Sequence, residues 1–361
     1  MKLQFKTLII LIFLPAMLLA NFKEFNGKYT KEKTLKKEYP VNNDAELNVS
    51  NSFGNIDIVT WNENRIVIEV HITTNGDNEE KVQQKLDEIS VEFSGSASLV
   101  TAKTKFKDRK GSWSWWGNKN KNVQMEINYT IKLPITNSVD LNNDYGAISL
   151  DKLDGIAKIN CDYGQLLIGE LRADNNNINF DYTKNSNIAF MKSGKINADY
   201  SGFTLEKAER LELNADYTKS EIHELTSLNF NCDYGKVIVQ KSTDVNGRGD
   251  YVTTRIGSLS GSLTLNADYG SIKVDELTQT AKNVEINGDY TGIKLGFSSG
   301  YNFDFNIDLT YASFNGDDLV TVTKSAKDNG RKSYSGYHGT HSSGNTITIK
   351  TNYGGVSFLN N

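Results

Sequence analysis

Nine aspartates between positions 144 and 289 each stand immediately before a tyrosine. They are Asp144, Asp162, Asp181, Asp199, Asp216, Asp233, Asp250, Asp268 and Asp289, followed by Tyr145, Tyr163, Tyr182, Tyr200, Tyr217, Tyr234, Tyr251, Tyr269 and Tyr290. Carboxylates in a row are the raw material for acid–base chemistry or for a hard cation. On stacked strands they would lie about 5 Å apart, the separation that retaining glycoside hydrolases use and one that calcium can bridge. Two features argue against both uses. A ladder offers the same spacing at every step and singles out no catalytic pair, and the units are uniformly short, without long loops beside one pair. The GGxGxD pattern of calcium-binding β-rolls is absent. The carboxylates are therefore expected to be satisfied by backbone N–H groups at a bend, as in Asx-turns. Neighbouring asparagines, among them Asn160, Asn179, Asn197 and Asn214, form a second polar ladder. No catalytic residue, cofactor site or metal site is assigned.

A second patch has binding chemistry. In KTKFKDRKGSWSWWGNKNK, Lys103 to Lys121, three tryptophans (Trp113, Trp115, Trp116) sit among Lys107, Arg109, Lys110 and other basic residues at what reads as a hairpin tip. Aromatic rings amid cations suit a glycan, an anionic envelope polymer or a membrane surface; the alternative is that they fold back as a cap. The histidine pair in HGTH (His338, His341) lies in a loop-like stretch and shares no metal spacing with His71 or His223. Arg248-Gly249-Asp250 falls in register with the repeat and reads as chance within it.

What must position these groups is the repeat itself. The tyrosines recur about every 17 to 21 residues from Tyr145 to Tyr311, a solenoid-like period, and Tyr353 follows after two such intervals, room for one degenerate unit with a loop. Apolar residues four and two before the tyrosine (Ile159 and Cys161, Ile196 and Ala198, Leu213 and Ala215) alternate with polar ones, which is the strand period with one face buried. After the tyrosine the phase slips: the apolar positions move to three and five downstream, as in Phe203 and Leu205 or Val237 and Val239. A slip of one is what a bend between two strands produces. A further apolar residue eight after the tyrosine (Leu153, Leu171, Phe190, Leu225, Leu259, Leu277) opens a third inward-facing segment. Such units must stack to bury their apolar side, which predicts an all-β fold: a parallel β-solenoid of about 17 to 21 residues per turn, on the order of 50 Å long. Cys161 and Cys232 occupy the same slot four units apart, roughly 19 Å at one strand spacing per unit, so they are expected as buried free thiols.

The N-terminal third is patterned differently. Residues 1–20 read as a signal peptide, with Lys2 and Lys6 before an apolar run of about 12 residues, short of the roughly 20 that cross a bilayer. Residues 21–40 read as a flexible leader. Residues 41–136 read as a capping region in which LNVSNSFGNIDIV repeats the template with Phe53 for tyrosine; one helix, Asp77 to Ile89, is expected with Asp77 as its cap. Residues 137–361 are the solenoid. The signal, the SFGNIDI strand before one helix and the DYG-type units together resemble the adhesin-type domains of bacterial envelope proteins, the group that includes the head GIN domain. That resemblance implies a β-helical, non-enzymatic protein of the periplasm, outer membrane or cell exterior. Its partner would be a glycan, an envelope polymer or another envelope protein, and the chain would be a monomer with no transmembrane segment after signal removal. Passive structural assembly is the alternative. A net charge of −4 excludes nucleic acid as an expected partner.

Overall fold

The computed structural model describes residues 25–107 and 123–360; the expected signal peptide and most of the tryptophan segment lie outside the described residues. The chain is all-β, an open sheet of many strands with one α-helix among the described residues. No helix among them is long and apolar enough to cross a membrane.

Each repeat unit contributes a strand ending at its aspartate and a second beginning soon after its tyrosine, and both pair in parallel with their counterparts one unit away. Ala157–Asp162 lies between Ser138–Asp144 and Asn176–Asp181, so that Leu141, Ile159 and Ile178 form one row. That row continues through Ile196, Leu213 and Phe230 to Gly247. On the far side of the bend Gln165–Leu171 pairs with Ala147–Leu153, matching Leu166 to Ile148 and Ile168 to Leu150. The phase slip has the expected consequence: Ile196, Ala198, Phe203 and Leu205 are all buried on one face. Gly247 breaks the apolar row for a steric reason. A Cβ there would come within 2.1 Å of the Phe230 ring, which occupies the missing side chain's space. Cys161 and Cys232 are buried and free, and burial pushes both thiols up to about 12.

Four expectations change. Residues 29–40 are no leader: Tyr29–Pro40 is a strand, antiparallel along its whole length to Arg65–Gly76. Its side chains alternate between half-buried and exposed, and Lys31, Lys33, Lys36 and Lys37 put charge on a sheet edge that would otherwise invite another strand. The helix is Glu79–Glu88, capped by Asn78, whose side chain accepts from the Lys81 N–H; Asp77 instead accepts from the Lys28 N–H. Phe190 does not fill the third inward slot. Asn185 (φ 58°) adds a residue to the bend after Tyr182, which carries Met191 into register with Leu171.

The fourth change is topological. The final strands do not extend the stack beyond Tyr311. Thr346–Asn352 is inserted between Val284–Asp289 and Phe303–Thr310, in parallel with both. Gly355–Asn360 likewise lies between Gly292–Phe297 and Ser313–Asn315. The antiparallel hairpin Thr321–Asp328 and Arg331–His338 then covers Phe303–Thr310. At the other end Glu46–Ser52 pairs with Ser138–Asp144 on one side and with Leu99–Phe106 on the other.

Candidate binding surface

The bend is built on an unusual backbone choice. All eleven repeat tyrosines, and Phe53, adopt left-handed φ values between 50° and 66°. A residue with a Cβ gives up about 1–2 kcal/mol in that region, and glycine would avoid the cost. Something must compensate for keeping an aromatic ring there. The rings supply it by stacking on one another: Phe53, Tyr145, Tyr163, Tyr182, Tyr200, Tyr217, Tyr234, Tyr251, Tyr269, Tyr290, Tyr353 and Tyr311 form one column. Successive centroids are 4.8–5.4 Å apart and successive planes lie within 13° of parallel. Aromatic pairs at such separations contribute about 0.5–1.5 kcal/mol beyond area burial, enough to offset the backbone cost.

The column runs along the outside of the sheet and is about half exposed, from 49% at Tyr200 to 63% at Tyr311. Because each interior ring has a neighbour on both faces, its edge and hydroxyl meet solvent, and no sugar ring or further aromatic can stack on it face to face. Both ends are covered. Phe106 packs edge-on against Phe53 at 6.1 Å, and Gly330 (φ 83°) lies over Tyr311 so closely that a Cβ would stand 2.6 Å from the ring.

Beside the rings runs the carboxylate row, and its hydrogen bonds link units instead of closing an Asx-turn within one bend. Oδ1 of Asp162, Asp181, Asp199, Asp216 and Asp233 accepts the backbone N–H of the next aspartate at 2.9–3.2 Å; Asp268 does the same for Asp289. The tyrosine N–H donates to the same neighbouring aspartate's carbonyl, as Tyr200 does to Asp216 at 3.0 Å. Next to this row Asn142, Asn160, Asn179, Asn197 and Asn214 are joined amide to amide at 2.6–2.8 Å.

The charge pattern sets the stripe apart. Elsewhere on the repeat strands carboxylates are paired with cations, as in Lys207–Glu224 (2.7 Å), Lys195–Glu212 (2.8 Å) and Arg255–Asp275 (2.9 Å). Among the described residues no ion pair joins the carboxylates of the row to a lysine or arginine. Asp181 shows the result: its carboxyl is pushed above the ordinary range, first by burial and then by Asp162 and Asp199, against the lowering effect of its bond from the Asp199 N–H. Burial, neighbouring tyrosines and the aspartates likewise raise the Tyr217 phenol. The surface is thus a rail of phenol edges, carboxylates and amides repeating at one strand spacing, with acceptors facing solvent and with Arg248 and Lys350 standing in the amide row at two of its steps.

Of the residues singled out for binding in the tryptophan patch, Lys107 is described, and its N–H donates to the Glu88 carbonyl at 2.9 Å; Trp113, Trp115, Trp116, Arg109 and Lys110 lie outside the described residues. The histidines of HGTH are held apart by different partners, His338 against Phe297 and Phe303 and His341 on Asp304. Among the described residues no cluster of His, Cys, Asp or Glu has metal-site geometry.

The chain matches no protein-family model and no curated protein. It is similar to solved structures at low identity. One described as a putative adhesin from Parabacteroides merdae is 12% identical, with 73% of this chain and 92% of that one covered and a TM-score of 0.35. Another described as a putative lipid binding protein from Parabacteroides distasonis is 10% identical, with 90% and 96% covered and a TM-score of 0.31. A third, described as a putative cell adhesion protein from Clostridium sporogenes, is 10% identical, with 92% and 100% covered and a TM-score of 0.21. At these values the likeness establishes neither a shared ligand nor a shared architecture.

Proposed function

We propose that the protein is an exported, non-catalytic binding scaffold of the cell envelope, of adhesin type, built as a parallel β-solenoid whose aromatic and acidic stripe is the binding face. The observation that carries this reading is the unpaired carboxylate row beside a half-exposed column of stacked rings. A soluble chain ordinarily leaves exposed aromatics scattered and its charges of both signs interspersed; a contiguous stripe of one kind marks a contact surface. A rigid rail with a fixed repeat suits an extended envelope polymer, whose own groups recur along its length. Trp113, Trp115 and Trp116, with Lys107, Arg109 and Lys110, would add a basic aromatic contact of the opposite charge.

The test combines cell fractionation with binding of the mature protein to a glycan array, to vesicles of envelope lipid and to purified envelope fragments. Replacing Tyr200, Tyr217 and Tyr234 together with Phe removes hydroxyls while keeping the stack. Loss of binding with an unchanged melting temperature supports the reading. No binding to any member of the panel, or binding indifferent to this variant and to Asn at Asp199, Asp216 and Asp233, refutes it and leaves the stripe a structural seam.

A further inference from the structure

The last two strands occupy a place in the stack that their position in the chain does not require. Tyr311 follows Tyr290 at the same interval as Tyr290 follows Tyr269, and Ile307 stands four before Tyr311 as Ile286 stands four before Tyr290. The two layers therefore have the sequence register to close directly on each other. They are instead held apart, and Thr346–Asn352 with Gly355–Asn360 fills the gap. The strand pair is thus an insert in a slot with parallel strand edges on both sides. Its fit is specific: Ile347, Ile349 and Val356 are fully buried, and Phe358 stands edge-on to Phe297, Phe303, Phe305 and Phe314 with centroids 5.1–6.1 Å away.

We propose that this slot is a strand-acceptor site and that its occupant in trans is the same strand pair of a second copy, so that two chains exchange C-terminal strands. Cis and trans occupants make identical buried contacts, because the sequences are identical. What separates them is the connection, residues 339–345, which passes from His338, beside Phe303, to Thr346, beside Asp304, around one end of that strand. This connection is mostly exposed, and Gly339, Ser342 and Gly344 in it are left-handed. Polar contacts hold it to Asn302 and Asp304, such as Thr340 N–H to Asn302 Oδ1 at 2.8 Å. Exposed contacts of this kind contribute little each. The balance between cis and trans is then set by effective concentration, and trans occupancy rises with protein concentration. Exchange of an identical element is a low-cost route to dimers, and strand addition at an edge supplies both backbone bonds and side-chain specificity.

Glu285 and Thr348 are register partners across the slot, in positions that face outward, and adjacent parallel strands bring Cα atoms within disulfide range. Full-length Glu285→Cys and Thr348→Cys chains are unfolded together, refolded at high concentration and then mildly oxidised. Exchange predicts a covalent heterodimer on a non-reducing gel, several-fold above the dimer from either variant alone, while a chain carrying both substitutions closes an internal bond at low concentration. Adding Phe358→Ala to the Thr348→Cys chain lowers the heterodimer yield. The proposal fails if the mixture gives no interchain bond above the single variants, or if the double variant does not close its internal bond.

Discussion

Replacing Asp181 with Asn separates the two roles of the carboxylate row. In the folded protein Asp181 lies one strand spacing from Asp162 and from Asp199. Two unit charges about 4.8 Å apart repel by about 0.9 kcal/mol in a water-like dielectric, so the two neighbours together cost about 1.7 kcal/mol at low salt. At physiological ionic strength the screening length is about 8 Å, which reduces this to about 1 kcal/mol. The hydrogen bond from the Asp199 N–H, 3.1 Å long, opposes the gain. An Asn oxygen still accepts it, so only its charge assistance is lost, and the new amide can donate to Asp162 much as the Asn352 amide donates to Asp289 at 2.7 Å. The Asp181 carboxyl is raised by burial first and then by the two neighbours, against the hydrogen bond, so the fold disfavours the ionised form. Ionisation of a group with a raised folded pKa costs stability that is fully felt above that pKa and absent below the unfolded value, about 3.9 for Asp. The variant is therefore expected to be more stable at pH 7 by up to about 1 kcal/mol, a rise of about 2 °C in melting temperature. The gain should shrink in 1 M salt and vanish below pH 4, where the wild-type carboxyl is also neutral. Thermal melts at three salt concentrations and two pH values provide the assay. A melting temperature that falls by a similar amount at every salt concentration would refute the reasoning and assign the row to hydrogen bonding alone.

Three further outcomes follow from the same geometry. Tyr217→Ala keeps the left-handed backbone but removes two stacked neighbours, so urea denaturation should show a loss of about 1–3 kcal/mol, whereas Tyr217→Phe should stay within about 0.5 kcal/mol. Gly247→Ala should cost about 1–3 kcal/mol by driving a methyl into the Phe230 ring, and Phe230→Leu should recover part of it, seen as coupling in a double-mutant cycle. Because burial raises Cys161 and Cys232 to about 12, a thiol reagent at pH 8 should react with neither in the folded protein and with both in denaturant; fast labelling under native conditions would show that the slot is open.

Much of the repeat was legible because it is local. The alternation before Tyr200 and the slip after it depend only on residues within one unit, so the buried set Ile196, Ala198, Phe203 and Leu205 could be read directly. The candidate surface was harder to see. Tyrosine at a bend reads as a structural joint, and only the left-handed backbone shows that a cheaper residue was available and that the ring must interact with its counterpart in the next unit. The strand Tyr29–Pro40 is hard to see in the sequence because its Lys-rich composition resembles a leader, although Leu35 and Tyr39 carry a faint alternation. Its partner, Arg65–Gly76, lies far along the chain.

By itself the sequence determined the strand period, the bends that the repeat tyrosines mark, and the parallel register of most units on the next, because a one-residue shift would turn a whole apolar set to solvent; the extra residue at Asn185, which turns Met191 inward in place of Phe190, lay outside what the spacing shows. Only the tertiary structure decided where the last strands go. The interval from Tyr311 to Tyr353 is twice that from Tyr290 to Tyr311, so spacing alone favours continued stacking. Yet Phe358 needs the cage of Phe297, Phe303, Phe305 and Phe314, which exists only between two layers already formed. Tertiary structure likewise turned a repeated dipeptide into a surface, since rings and carboxylates a whole unit apart in the chain become neighbours only when strands pair.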